Sequence, residues 1–203
     1  MKGPSAQRKK SFPLARSELA ALSPLVGAYL SASQLKQLYR QGWLRRGIPP
    51  AQCESVADHT YGVVLLVLLL VDACYPELDR AKALQLALLH DLGEVYAGDL
   101  TPADGVPAGA KHDRERASLV RVLGELDQGE EYIALWEEYE RGDTPEARLV
   151  REVDRLEMGL QAFAYERRGE ADLSEFCASV EEALTLPELD RLFHEVAHLK
   201  ELK

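Results

Sequence analysis

The run Leu88-Leu89-His90-Asp91-Leu92-Gly93-Glu94 sets an imidazole, a carboxylate and, three residues on, a second carboxylate in one short stretch. Side chains three or four apart share a helix face, so on a helix Glu94 lies above the His90–Asp91 pair. A neutral imidazole and a carboxylate suit a borderline-to-hard divalent cation. A further carboxylate beside them can carry a proton without being a ligand. The plain alternative is a solvated histidine next to an aspartate that caps a helix. Against it, the doublet closes the leucine-rich run Leu84–Leu89 and so sits at the edge of a core.

A metal centre needs partners from elsewhere in the chain. His59, in Glu54-Ser55-Val56-Ala57-Asp58-His59-Thr60, stands near the start of the most apolar segment. Taken singly, it reads as a hydrogen-bonded core histidine. Asp154 lies beside the helical stripe Leu149, Val150, Val153, Leu156 and Leu160. A carboxylate against a core face is costly unless it is paired or metal-bound, and a salt bridge to a nearby arginine is the ordinary solution. The remaining histidines carry less. His112 follows a Gly/Pro loop in a charged run and reads as a solvated helix start, with Lys111 or Arg114 able to reach toward the site. His194 and His198 have metal-ligand spacing but lack a third ligand nearby, and the acidic run Glu130–Glu140 reads as a solvated face.

The elements that must position these groups follow from composition and periodicity. With 203 residues, 46% hydrophobic and 29% charged, the chain fits one globular domain able to bury a real core. Its net charge of −10 disfavours a nucleic-acid polymer but leaves room for a small phosphorylated substrate, since a metal and a few arginines reverse the local sign. Three cysteines without paired spacing, and no apolar run that could serve as a signal peptide, point to a reducing, cytoplasmic setting. The longest apolar run, Val63–Val71, is shorter than the roughly 20 residues of a bilayer span. It predicts no membrane insertion and a central helix buried on nearly every side.

A mobile tail is expected over residues 1–16, with a single domain over 17–203. Helices are predicted at about Glu18–Leu30, Ser33–Gln41, Val56–Cys74, Asp79 to the doublet, Lys111–Leu126, Glu130–Arg141, Thr144–Glu166, Leu173–Leu184 and from Pro187 onward. Gly42–Ser55 and Ala97–Gly109 are expected to be irregular. No segment alternates with period two between hairpin turns. The fold class is all-α, a compact bundle of eight or nine helices.

His59, His90-Asp91 and Asp154 form, in chain order, a His, His-Asp, Asp series, each within a short apolar helix context. The series resembles the HD-domain metal-dependent phosphohydrolases. Glu54–His59, His90–Glu94, Gly98-Asp99-Leu100 and Val153–Glu157 are similar to motifs of the branch that includes the 5′-deoxynucleotidases, with the likeness spanning about Leu35 to Glu166. The resemblance implies that His59, His90, Asp91 and Asp154 hold one divalent metal. Manganese, cobalt, iron, nickel, zinc and magnesium all suit such a donor set. It implies that Glu94 assists proton transfer and that Asp99 stands near the sugar hydroxyls. It also implies that Trp43 with Arg45 and Arg46 helps to bind substrate. A guanidinium from Arg45 or Arg46 can grip phosphate, and the Trp43 indole can either stack on a base or pack on the neighbouring helix. One family pattern has an arginine directly before the tryptophan; here that place holds Gly42. The expected activity is phosphate removal from a small nucleotide, a deoxyribonucleoside 5′-monophosphate. The alternatives are another phosphate ester (a cyclic nucleotide or a guanosine polyphosphate) or a metal- and nucleotide-binding regulatory module without turnover. Family members are often dimers, and the terminal helices 173–203 offer a surface for a homodimer.

Overall fold

Three long helices begin on side chains that satisfy the free N–H groups of a helix start. Ser55 Oγ accepts from Asp58 N at 3.2 Å while Asp58 Oδ2 accepts from Ser55 N at 2.8 Å, a reciprocal capping box. Asp79 accepts from Lys82 N at 3.1 Å, and Thr144 from Ala147 N at 3.3 Å with Pro145 in the first turn. The structure, a computed structural model, describes residues 16–199. Its α-helices are α1 (Arg16–Ala20), α2 (Pro24–Ala32), α3 (Gln41–Arg45), α4 (Val56–Cys74), α5 (Arg80–Leu89), α6 (Glu94–Ala97), α7 (Ala108–Leu123), α8 (Gly129–Arg141), α9 (Pro145–Arg167), α10 (Ser174–Ala183) and α11 (Pro187–His198). Short 3₁₀ turns occupy Ser33–Gln37 and Pro102–Asp104. The described residues contain no strand, only an isolated antiparallel bridge between Tyr39 and Ser55. The all-α expectation therefore holds, while the tail expected over residues 1–16 lies, but for Arg16, outside the described residues.

Three local expectations are corrected. The single helix expected over Glu18–Leu30 is two, because Ser23 is extended before Pro24, which opens α2. The helix expected over Ser33–Gln41 stops after one 3₁₀ turn. Leu38 and Arg40 are extended and pair with the segment before α4, through Val56 N to Leu38 O at 2.9 Å and Arg40 N to Glu54 O at 3.2 Å. Tertiary pairing there overrides local helix propensity. The third correction concerns α4, which is not buried all round. Val63, Val67, Leu70 and Val71 pack inward, whereas Tyr61 is 70% exposed and Leu69 57%.

The centre of the molecule is the packing of α4, α5 and α9, where Val63, Val67, Leu86, Val150, Val153 and Leu156 form one apolar cluster. Each such side chain contributes about 1.5–3 kcal/mol on burial. A second cluster, Leu38, Leu92, Val95, Leu119 and Trp136, joins α6, α7 and α8. A third, Trp43, Ile48, Cys53, Ala162, Tyr165 and Leu173, ties α3 to α9. Gly159 lets α9 meet the last helices closely: a Cβ there would stand 2.8 Å from Phe193 Cε2.

Candidate active site

His59 enters from the first turns of α4, Asp154 from the middle of α9, and His90 and Asp91 from the end of α5. The doublet does not lie within a helix, as the helical phase argument supposed. α5 ends at Leu89, and the chain winds on more tightly, with Leu92 N donating to Leu89 O and Glu94 N to Asp91 O, both at 3.0 Å. This tight turn still delivers Glu94 to the same cleft as His90, Asp91 and Asp154.

The four expected ligands converge. His59 Nε2 is 3.0 Å from Asp154 Oδ1, 3.4 Å from His90 Nε2 and 3.7 Å from Asp91 Oδ2. His90 Nε2 is 3.2 Å from Asp91 Oδ2. The other ring nitrogens face acceptors: His90 Nδ1 meets Ala87 O at 2.7 Å, and His59 Nδ1 meets Glu157 Oε2 at 2.5 Å. Those partners assign the Nδ1 protons and leave both Nε2 atoms turned inward. Tyr139 donates to Asp154 Oδ2 at 3.1 Å, and Trp136 Nε1 donates to His90 O at 3.1 Å.

The two inward imidazole nitrogens thus meet Asp91 Oδ2, which is buried without a hydrogen-bond partner, while Asp154 Oδ1 stands against His59 Nε2. Acceptors gathered in this way require positive charge. Burial and Arg40 oppose protonation of His59, yet its bonds to Asp154 and Glu157 raise its pKa to about 10. Burial also penalises the Asp91 carboxylate, but His90, Arg40 and His59 outweigh this and hold it well below the usual range. Two nitrogen and two oxygen donors fit a divalent cation in place of those protons. Of these four, His59, His90 and Asp91 offer donor atoms all within 4.8 Å of one another.

The cluster floors a cleft of about 540 Å³. Glu94 is 3% exposed, and its Oε2 lacks a hydrogen-bond partner. Burial, then Asp91 and Asp99, push its carboxyl well above the ordinary range, with Arg40 opposing. Asp99 is 5% exposed in the cleft wall and accepts from Gln41 N.

The expected substrate contacts divide. Arg45 and Arg46 both line the cleft, but each is held at its mouth, Arg45 by Asp104 at 2.5 Å and Arg46 by Glu175 at 3.3 Å over the Phe176 ring. Of the two places open to Trp43, the structure shows packing rather than stacking on a base. Trp43 is 2% exposed, its ring packs on Tyr165 and Phe176, and its N–H donates to Glu54 Oε1 at 2.6 Å. It shapes the cleft from within the core rather than offering a face to a base.

The arginine nearest the cluster was not singled out from sequence. Arg40 Nη1 lies 3.5 Å from both Asp91 Oδ2 and Asp99 Oδ1. A helix running to Gln41 would have left it at a solvated end; the extended Leu38–Arg40 segment turns it inward. An arginine three residues before Trp43 was the available signal. Glu115 was also missed. It reaches the cleft from α7 with Lys111, their charged atoms 3.4 Å apart. His112, by contrast, is half-buried against Trp136, and His194 is bound by Asp190 and Glu181 on the surface.

Helices that gather imidazoles and carboxylates able to hold a metal beneath a cleft that Arg40, Arg45, Arg46 and Lys111 also line define an all-α protein with a candidate metal site. The chain belongs to the HD-domain family, whose profile matches residues 32–190. It is 42% identical over 160 residues to 5′-deoxynucleotidase HDDC2 of Danio rerio, covering 77% of this chain and 78% of that protein. It is 40% identical over 152 residues to 5′-deoxynucleotidase hdd1 of Schizosaccharomyces pombe, covering 71% and 74%. A solved structure of a conserved hypothetical protein from Pyrococcus furiosus aligns with a TM-score of 0.69 at 35% identity, over 85% of this chain and 99% of that one.

Proposed function

We propose that this protein is a metal-dependent phosphohydrolase that removes phosphate from deoxyribonucleoside 5′-monophosphates. The observation that carries the reading is the grouping of His59, His90, Asp91 and Asp154 beside a buried Glu94. The names of the relatives from Danio rerio and Schizosaccharomyces pombe support the substrate class. The four side chains would hold one ion, drawn from manganese, cobalt, iron, nickel, zinc or magnesium.

When bound, that ion supplies Lewis acidity toward water and the phosphoryl oxygens. The rest falls to the chain. Arg40 and Lys111 present positive charge to the phosphate in a cleft whose surroundings are acidic. Burial beside Asp91 and Asp99 raises the Glu94 pKa above the ordinary carboxylate range, which favours the protonated form that can deliver a proton to the leaving 5′-oxygen, a general-acid role. Asp99, tied to Gln41 N and close to Arg40, would stand as the sugar-facing carboxylate. The setting is cytoplasmic on this reading. For a homodimer, the exposed apolar face of α4, where Tyr61, Leu65 and Leu69 meet solvent on successive turns, offers a surface besides the terminal helices expected from sequence.

The test is phosphate release from a panel of deoxyribonucleoside and ribonucleoside 5′-monophosphates, a cyclic nucleotide and a guanosine polyphosphate, each with and without added divalent metal. Metal-dependent turnover favouring the deoxyribonucleotides is the expected result. Turnover confined to the other esters would reject the substrate assignment, and metal-dependent binding without release would reject an enzyme.

A further inference from the structure

His59 is held at both nitrogens by a single helix. Asp154 faces its Nε2 at 3.0 Å and Glu157, three residues further along α9, faces its Nδ1 at 2.5 Å. The imidazole is fully buried, so neither nitrogen has solvent as an alternative partner. Glu54 offers a second carboxylate near the same nitrogen, but its Oε1 already accepts from the Trp43 indole at 2.6 Å.

Opposite this grip, α4 carries a glycine three residues after His59. Glycine is the poorest helix former after proline, and Gly62 sits well inside a 19-residue helix. Its backbone does not need the left-handed region, since it is absent from the positive-φ glycines. What it supplies is space. A Cβ at Gly62 would stand 2.5 Å from Glu157 Oε1 and 3.0 Å from Glu157 Cγ and Cδ. The glycine thus opens a cradle on α4 that the Glu157 carboxylate fills on its way to His59.

We propose that Glu157 is a positioning residue for the metal centre and that Gly62 is the gap in α4 that admits it. The inference rests on the metal reading above and extends it beyond the ligands. Glu157 accepts the Nδ1 proton of His59, which fixes the ring orientation and keeps the Nε2 lone pair turned toward Asp91, Asp154 and His90. A carboxylate behind a ligating imidazole also makes that imidazole a stronger donor, and losing such a partner typically weakens metal affinity 10–100-fold. Gly62 has no chemistry of its own, and the three atoms nearest to an added Cβ all belong to Glu157, so filling the gap acts first on that carboxylate.

The experiment is a Mn²⁺ titration of chelator-stripped full-length protein, comparing the parent with Glu157→Gln and Gly62→Ala. It is joined to ¹⁵N NMR of the histidine rings in the Zn²⁺-loaded parent. The parent should bind one Mn²⁺. Both variants should bind it roughly 10–100-fold more weakly while keeping the parental circular dichroism. The His59 resonances should show a proton on Nδ1 and none on Nε2. Parental Mn²⁺ affinity in a folded Glu157→Gln or Gly62→Ala variant would overturn the proposal and leave the metal reading standing. Failure of the parent itself to bind Mn²⁺ would instead overturn the metal reading. Should both variants fail to fold, the parent's NMR decides alone: a His59 proton on Nε2 with Nδ1 bare contradicts the assignment.

Discussion

Arg40 Nη1 lies 3.5 Å from Asp99 Oδ1, and the next backbone N–H, that of Gln41, donates to the other oxygen of the same carboxylate. The segment that carries the half-buried arginine therefore also fixes the carboxylate assigned to the sugar. Arg40 stands equally close to Asp91 Oδ2, so one guanidinium links the metal cluster to the cleft wall. Arg40→Met should fold but lose phosphate binding. Hydrogen bonds to charged groups contribute about 1.5–3 kcal/mol, so KM for a nucleotide monophosphate should rise by roughly 10–100-fold. Arg45→Met, which breaks only an exposed pair with Asp104, should change KM much less. Steady-state kinetics on the two variants checks this, and equal effects would return the phosphate role to the mouth of the cleft.

Glu94 gives a pH signature. Burial with Asp91 and Asp99 holds its proton above the ordinary carboxylate range. As a general acid it is active while protonated, so kcat should fall as pH rises through its elevated pKa. Glu94→Gln should keep the metal, lose roughly 10²–10⁴-fold in rate, and lack that alkaline limb in what activity remains. A pH–rate profile of both proteins, with metal content measured in parallel, carries the comparison. An unchanged alkaline limb in the variant would remove Glu94 from the proton path.

Glu115 provides a stability test of the same cleft. Burial raises its carboxyl to about 7 against an ordinary 4.5, with Lys111 opposing. A group whose folded pKa is raised holds its proton more tightly when folded. Its contribution is thus complete below about pH 4.5 and is lost as pH climbs to about 7. In metal-stripped protein, Glu115→Gln should match the parent near pH 4.5 and exceed it at pH 8 by about 1–3 kcal/mol. Urea unfolding at the two pH values measures the difference. A variant less stable than the parent at pH 8 would mean that the Lys111 pair outweighs the burial cost.

What could be read from sequence was the part written in local order. His59, His90, Asp91 and Asp154 each sit beside an apolar stripe, and helices packed on their apolar faces bring such flanking residues together. The starts of α4, α5 and α9 fall within a residue of the positions expected from sequence. What could not be read depended on contacts distant in sequence. Arg40 turns inward only because Leu38–Arg40 pairs with Glu54–Val56, an interaction without local periodicity. Trp43 is sheltered by Tyr165 and Phe176, more than a hundred residues away. The exposed face of α4 was hidden for the opposite reason: a continuous run of Val and Leu carries no periodicity to tell its buried side from its open one.

The most direct measurement is an anomalous difference map from crystals of the full-length protein grown with Mn²⁺ and recorded near the manganese edge. One strong peak is predicted, enclosed by His59 Nε2, His90 Nε2 and carboxylate oxygens of Asp91 and Asp154. A peak elsewhere, or one from which His59 or Asp154 stands apart, would contradict a centre assembled from α4, α5 and α9.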